Sequence, residues 1–123
     1  MQFATKVVCL CDNIRNRGHI KNQILRSSCS IGANIHEARY GYSVDDFVFK
    51  LQIALKESNE TLYWLELLKN TETITEQDAR PLVHMCNRIR YMLIKSINTA
   101  KTRKENKQVW IYARKIIKLS HLR

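Results

Sequence analysis

The sequence predicts an all-α protein, a bundle of four helices, and three observations carry that prediction. The 123 residues include only three Gly and one Pro, so few positions interrupt regular structure. Apolar residues recur every three or four positions in four successive segments, which is the spacing of helices that bury one face. Neither a Pro-rich nor a Gly/Ser-rich linker separates these segments, which favours short connections and a single domain.

The first predicted helix presents an apolar face formed by Phe3, Val7, Leu10 and Ile14. We expect it to end near Arg17 and Gly18, where a glycine can terminate a helix. It is short and amphipathic.

The second predicted helix starts at His19 or Ile20 and runs to about Tyr40, with Gly41 as its carboxy-terminal cap. At 100° per residue one of its faces is apolar. That face consists of Ile20, Ile24, Ser28, Ile31, Ile35 and Ala38. The opposite face carries Arg26, Ser30, Ala33 and Glu37. Because the middle of this second face is small, another helix or subunit can approach closely there, and we interpret it as an oligomer interface.

The third predicted helix opens at Ser43, a hydroxyl cap followed three residues later by Asp46. Its core stripe contains Phe47, Leu51, Ala54, Leu55, Ser58, Leu62 and Leu65. Another face brings two carboxylates, Glu57 and Glu60, next to Trp64, which we add to the predicted interface. Paired glutamates can serve acid/base or di-metal chemistry, but the Glu-x-x-His ligand motif is missing here. Ion pairs with Arg26, Arg39 or another subunit are therefore favoured over catalysis.

The fourth predicted helix starts between Thr75 and Asp78, with Pro81 in its early turns, where proline is tolerated. Its core stripe is Leu82, Cys86, Ile89, Leu93, Ile97 and Ala100. Opposite this stripe lies a row of three cations with His84 and an aromatic ring, namely Arg80, Arg88, Tyr91 and Lys95. Such a row can follow a phosphate backbone and stack a base, but an ordinary solvated helix face has the same pattern.

Residues 102–123 form a predicted C-terminal extension to the bundle of residues 1–101. Eight of the 21 Lys and Arg and one of the 11 Asp and Glu lie in residues 101–123, which carry +7 of the formal net charge of +10. As a helix the extension is basic and amphipathic, with Val109, Tyr112, Ala113, Ile116 and Leu119 on one side. It can dock on the bundle, lie on an anionic membrane or order on RNA, and composition does not separate these alternatives.

The four cysteines, Cys9, Cys11, Cys29 and Cys86, sit in or beside apolar patterns, so we expect buried structural thiols in a reduced, cytoplasmic protein. Residues two apart on a helix point about 200° apart, so Cys9 and Cys11 do not share a metal ion. No secretory leader and no apolar run of about 20 residues is evident. We expect no metal, cofactor or membrane span.

Two runs, RSSCSIGANIHEA from Arg26 and DFVFKLQIALKESNETLYWLELL from Asp46, resemble the 23S rRNA intervening sequence protein (S23) family. The resemblance extends from about Phe3 to Lys101. It implies an up-down-up-down four-helix bundle that assembles as a homopentamer without enzymatic activity. The basic C-terminal helical extension lies outside the resemblance. Relatives in that family serve as accessory proteins of diversity-generating retroelements, where a basic ring surface contacts reverse transcriptase and nucleic acid.

We therefore expect a non-enzymatic oligomer that binds RNA, in particular ribosomal RNA associated with a 23S intervening sequence. The nucleic-acid-binding candidates are Arg80, Arg88, Tyr91, Lys95, Lys101, Arg103 and Lys104. The alternative is a scaffold that recruits a protein partner, such as a reverse transcriptase, through its small-residue face and its extension.

Overall fold

Four α-helices make up the fold in a computed structural model that describes residues 1–120. They are α1 (Gln2–Asp12), α2 (Gly18–Ala38), α3 (Val44–Asn70) and α4 (Glu76–Ser120). At Trp110, Leu119 and Ser120 only the backbone is described, so the predicted role of Leu119 lies outside the described side chains, and residues 121–123 of the predicted extension lie outside the described residues. The prediction of an all-α bundle is confirmed.

The helices pack as a ring of neighbours. Close backbone contacts join α1 with α2, α2 with α3, α3 with α4, and α4 with α1, whereas the diagonal pairs have none within residues 1–120. Since the connections are short, consecutive helices run in opposite directions, as in an up-and-down bundle. The expected apolar stripes meet in one core, with Val7, Ile24, Leu65 and Cys86 almost completely buried.

Side-chain caps start the last two helices as the sequence predicts. The Ser43 hydroxyl accepts a hydrogen bond from the Asp46 amide at 3.1 Å, and the Thr75 hydroxyl accepts one from the Asp78 amide at 3.0 Å. Each hydroxyl satisfies an amide that the first turn of a helix leaves without a partner. These two caps confirm where α3 and α4 begin.

The predicted glycine cap at Gly41 is wrong. Gly41 does not take a positive φ, and the two residues that do within residues 1–120 are Arg17 (φ 62°) and Glu72 (φ 58°). Glu72 follows the end of α3, where the Thr73 amide donates to the Leu68 carbonyl at 2.9 Å and the Glu72 amide donates to the Lys69 carbonyl at 3.0 Å. This pair of bonds is a Schellman motif built on a glutamate instead of a glycine.

Helix α1 is shorter than expected, since it ends at Asp12 and not near Arg17. Ile14 remains buried although it lies in the connection, so its apolar character extended the helical pattern too far. An apolar groove of about 460 Å³ lies at the amino end of α1. Lining this groove are Ile31, Ile35, Phe47, Leu51, Ile89 and Leu93.

The expectation of four buried cysteines is wrong for two of them. Cys11 and Cys86 are buried, but Cys9 and Cys29 are exposed. Cys9 lies two positions after the core residue Val7, and about 200° of helical rotation carries it to the outer side of α1. Cys29 lies one position beyond the core residue Ser28 on α2, where the helix already faces outward.

Helix α4 continues without a break past Lys101, the expected end of the bundle. Its 45 residues correspond to about 68 Å, against about 40 Å for the 27 residues of α3. The C-terminal extension therefore projects from the bundle as the last part of α4. Within residues 1–120, no helix combines the length and apolar character that crossing a bilayer requires.

Candidate nucleic-acid interface and assembly face

The outer side of α4 presents four of the seven predicted nucleic-acid-binding residues together. One side of α4 faces the core, where Leu82, Cys86 and Leu93 are buried. At a rotation of about 100° per residue, the predicted row of cations lies on the opposite side of the helix. Besides His84, the row has four exposed members, which we call the α4 stripe: Arg80, Arg88, Tyr91 and Lys95. The stripe spans about 22 Å along the helix axis.

An aromatic contact organises the centre of the α4 stripe. The Lys95 ammonium lies 5.4 Å from the centroid of the Tyr91 ring, a distance at which a cation is attracted to the ring face. Tyr91 remains 62% exposed. A cation and an open aromatic surface thus occur side by side, as needed to neutralise a phosphate and stack a neighbouring base.

At one end of the stripe, Arg80 already has an acidic neighbour. Its guanidinium lies 3.8 Å from Glu76, whose other carboxylate oxygen lies 3.6 Å from the Lys69 ammonium. Both pairs are solvent-exposed, and such pairs are weak. A phosphate can therefore compete with Glu76 for Arg80.

The other three predicted residues lie apart from the α4 stripe. Measured around the helix from Tyr91, Lys101 is turned by about 80°, Arg103 by about 120° and Lys104 by about 140°. Lys101 and Arg103 are exposed. Lys104 points back to the start of α3, where its ammonium forms an ion pair with Asp45. The seven candidates consequently do not form one continuous surface.

A second candidate surface, here called the assembly face, comprises the residues predicted to contact another subunit: Arg26, Ser30, Ala33, Glu37 and Trp64. They lie on adjacent helices, four on α2 and Trp64 on α3. Ala33 is exposed, and Ser30 is partly covered because Asn34 donates to its hydroxyl at 3.0 Å.

Ion pairs within the chain engage the charged residues of the assembly face. The Arg26 guanidinium lies 3.2 Å from Glu57 and 2.6 Å from Glu60, as expected from the sequence. Glu60 also accepts a hydrogen bond from the Trp64 indole at 3.2 Å. At the other end, the Lys50 ammonium lies 2.6 Å from Glu37. The ion pairs of Arg26 and Glu37 join α2 to α3, and all of these contacts orient side chains that remain partly exposed.

The same contacts shift the acid–base behaviour of these groups. Hydrogen bonds from Arg26 and then from Trp64 lower the pKa of Glu60, against the opposing effect of desolvation. Hydrogen bonds to Glu60 and Glu57 raise the pKa of Arg26, and the Lys50 hydrogen bond lowers the pKa of Glu37. All of these groups are therefore held in their charged forms, which suits ionic contacts. In the described part of the chain, no three His, Cys, Asp or Glu side chains are arranged to hold a metal ion.

Two features of this surface escaped the sequence analysis. The first is the apolar groove beside α1, which is lined by residues from all four helices and therefore has no local sequence signal. The second is Asn59, whose side-chain oxygen accepts a 2.6 Å hydrogen bond from Arg90 across the α3–α4 contact. No local pattern marks a pair that lies 31 residues apart.

The fold and these surfaces define a small all-α bundle with a cationic outer helix and an ionic face between α2 and α3. A family model for the 23S rRNA-intervening sequence protein matches residues 1–95. The chain therefore belongs to that family, and the resemblance noted in its sequence is confirmed. All of the C-terminal extension, residues 102–123, lies beyond the matched residues.

A solved structure supports the same placement. It is the 1.70 Å crystal structure of a protein of unknown function from the S23 ribosomal protein family of Bacteroides thetaiotaomicron VPI-5482. The two chains share 45% sequence identity with a TM-score of 0.74, over 78% of this chain and 92% of the other. A comparison with curated proteins found no match.

Proposed function

We propose that this protein is a non-enzymatic, homo-oligomeric RNA-binding bundle whose target is ribosomal RNA associated with a 23S intervening sequence. The observation that carries the proposal is the α4 stripe, in which Arg88 and Lys95 are exposed on either side of an exposed Tyr91. The family description, which names 23S rRNA, agrees in chemistry with such a surface.

The proposed mechanism is electrostatic. Arg80, Arg88 and Lys95 pair with phosphates and release counterions, while Tyr91 stacks on an unpaired base. A single stripe offers few contacts and binds weakly. In the proposed homopentamer, five stripes on one particle would raise the overall affinity through effective concentration.

Assembly through the assembly face completes the proposal. Ser30 and Ala33 allow a neighbouring helix to approach closely, and Arg26 and Glu37 supply charged groups at its edges. Because each already has a partner on α3, a neighbouring subunit would add contacts to ordered side chains and would lose less side-chain entropy on binding.

The test is a salt titration of RNA binding by the purified full chain. The RNAs are ribosomal fragments with and without an intervening hairpin and a shuffled RNA of equal length. The decisive variant is Arg88→Glu with Lys95→Glu. Its matched control is Lys6→Glu with Lys56→Glu, which makes the same change in net charge at exposed positions on α1 and α3.

We expect the stripe variant to lose most of its RNA affinity. The slope of log affinity against log salt should fall by about 1.4 to 1.8 for two lost phosphate contacts, and the control should keep its slope. Preference for the hairpin RNA supports the specific target. Equal loss in both variants would show that binding reflects net charge alone and would contradict the proposal.

The alternative function is a scaffold that recruits a protein, such as a reverse transcriptase, as in the accessory proteins of diversity-generating retroelements. The apolar groove beside α1 favours this second candidate, because exposed apolar surface is typical of protein contact sites. Under this alternative, RNA affinity is negligible even in the unmodified chain, and substitution of Met92 in the groove by Glu abolishes capture of the partner.

A further inference from the structure

The C-terminal part of α4 exposes apolar side chains far from the core. Val109 is 67% exposed and Ile116 is 65% exposed, and Tyr112 between them is also exposed. All three lie on one side of a helix that continues directly from the bundle. Aliphatic surface in such a row is costly to leave in water.

The polarity of α4 reverses where the helix leaves the bundle. In the bundle its apolar side faces the core and its cationic stripe faces outward. At about 100° per residue, Val109 and Ile116 fall on the same side as Tyr91, whereas Lys104 and Lys107 continue the line of the core residues. The helix is continuous, so the packed part of α4 sets this orientation, and the exposed ion pair between Lys104 and Asp45 agrees with it. The extension therefore turns its apolar side away from its own bundle and cannot bury it there.

The opposite half of the extension is strongly basic. It carries Lys104, Lys107, Arg114, Lys115 and Lys118, together with one apolar neighbour of Lys104 and Lys107, Ile111. Glu105 is the single acidic residue in 101–123, which leaves a net charge of +7. A partner that covers the apolar side must also accommodate this charge, so charge complementarity requires an anionic partner.

We propose that the extension binds the surface of an anionic membrane, lying in the plane of the interface with Val109, Tyr112 and Ile116 inserted between the lipids. An apolar side opposite a Lys/Arg-rich side, without length or hydrophobicity for a span, is the pattern of an interfacial helix. Phosphate headgroups attract the basic half and acyl chains take up the aliphatic half. Arg88 and Lys95 lie on the same side of α4 and would meet the headgroups alongside.

Two other partners for the apolar side of the extension, RNA and a second copy of the chain, fit the observations less well. RNA offers phosphates and stacking bases but no apolar medium for valine and isoleucine. A second copy of the extension offers an apolar side but brings a charge of +7 against another +7, which is unfavourable at physiological salt.

The test is flotation of the full-length protein with vesicles of phosphatidylcholine alone and of phosphatidylcholine containing about one quarter phosphatidylglycerol. The decisive variant is Val109→Gln with Ile116→Gln, which removes the apolar side and keeps every charge. Phe49→Gln is the matched control, because Phe49 is an exposed apolar residue on α3, outside the extension. RNA affinity and sedimentation mass are measured on the same three proteins.

We expect the unmodified chain and Phe49→Gln to float with the anionic vesicles, and the double variant to lose at least about tenfold in vesicle affinity. RNA affinity should be unchanged in the double variant, so this result is independent of the proposed RNA function. Absence of flotation, or equal flotation of the double variant, would overturn the proposal. A fall in mass or in RNA affinity without an effect on vesicles would assign the apolar side to a second copy or to RNA instead.

Discussion

The hydroxyl groups of Thr61 and Ser27 meet across the contact between α3 and α2, with Thr61 Oγ1 donating to Ser27 Oγ at 2.8 Å. Both residues are completely buried. Ser27 in turn donates to the Ile24 carbonyl at 3.3 Å. The buried contact between α2 and α3 thus contains a hydrogen bond between two side chains, at a place where an unpaired hydroxyl would be destabilising.

This hydrogen bond predicts a measurable coupling between the two side chains. Thr61→Val and Ser27→Ala should each lower the free energy of unfolding by about 1 kcal/mol. The double variant should lose less than the sum, by about 0.5–1.5 kcal/mol, because the same hydrogen bond is removed only once. Urea unfolding of the four proteins measures this cycle. Strict additivity would show that the two hydroxyls do not interact.

The left-handed residue after α3 predicts a stabilising substitution. Glu72→Gly should raise the free energy of unfolding by about 0.5–1 kcal/mol, because glycine adopts φ near 58° without the strain of a Cβ. Glu72→Ala keeps the Cβ and removes only the carboxylate, so it should give no such gain. Thermal unfolding of both variants tests the assignment, and equal effects of Gly and Ala would refute it.

The pKa of Glu60 predicts a pH-dependent contribution to stability. Because the folded-state pKa is below the unfolded value, the stabilisation is present above about pH 4.3 and is lost as the pH falls through the folded-state pKa. Wild type should therefore exceed Glu60→Gln in stability at pH 7, by no more than about 1 kcal/mol for this partly exposed pair. The difference should vanish near pH 2.

The Arg26→Gln background provides the control for this pH dependence. Without the Arg26 guanidinium, Glu60→Gln should change the pH dependence of the free energy of unfolding much less. If the change is the same in both backgrounds, then Arg26 is not the main cause of the lowered pKa.

The cysteines predict two classes of thiol reactivity. Burial raises the pKa of Cys86 to about 11 and also raises the pKa of Cys11, and both are buried. At pH 8 only about one Cys86 thiol in a thousand would be ionised. A thiol reagent should therefore label Cys9 and Cys29 quickly and the other two slowly.

Serine substitutions identify the fast class. Cys9→Ser with Cys29→Ser should abolish the fast phase, and unfolding in guanidinium should make every remaining thiol reactive. Four equally fast thiols in the native protein would contradict the burial of Cys11 and Cys86.

If the assembly face joins subunits as proposed, Arg26→Ala should weaken the proposed oligomer more than the fold of the subunit. Its ion pairs with Glu57 and Glu60 are half-exposed, so the stability of the subunit should change by no more than about 1 kcal/mol. Sedimentation should nevertheless show a lower mass. Lys69→Ala breaks a comparable pair, between α3 and α4, and should leave the mass unchanged. An unaltered mass for Arg26→Ala would remove Arg26 from the interface.

Local sequence signals were sufficient for most of the fold. The helix count, the caps at Ser43 and Thr75 and the core stripes follow from apolar spacing and from short-range hydrogen bonds, which depend on residues a few positions apart. The family resemblance was also predictable, because two sequence runs carry it. The pairing of Arg26 with Glu57 and Glu60 was predictable because charges on the facing sides of adjacent helices tend to pair.

Features that depend on tertiary context were not predictable. Ile14 is buried from a connection, so its apolar character gave a false extension of α1. Arg17 and Glu72 take the left-handed conformation that sequence rules assign to glycine, because the surrounding hydrogen bonds outweigh the strain. The Lys104–Asp45 pair joins residues 59 positions apart, and only the folded chain shows that Lys104 faces the start of α3.

Because the C-terminal extension continues α4 beyond the bundle, the backbone amides of this one helix should exchange with solvent by two different routes. Before Ala100 each backbone hydrogen bond lies beside a packed core, so its amide opens only when much of the bundle unfolds. Past Lys104 the same hydrogen bonds have water around them and only helix propensity to hold them, so their protons should exchange through local fraying from the carboxy-terminal end. A ligand that covers the extension would then slow amide exchange in those turns alone, and the effect could be assigned to single amides.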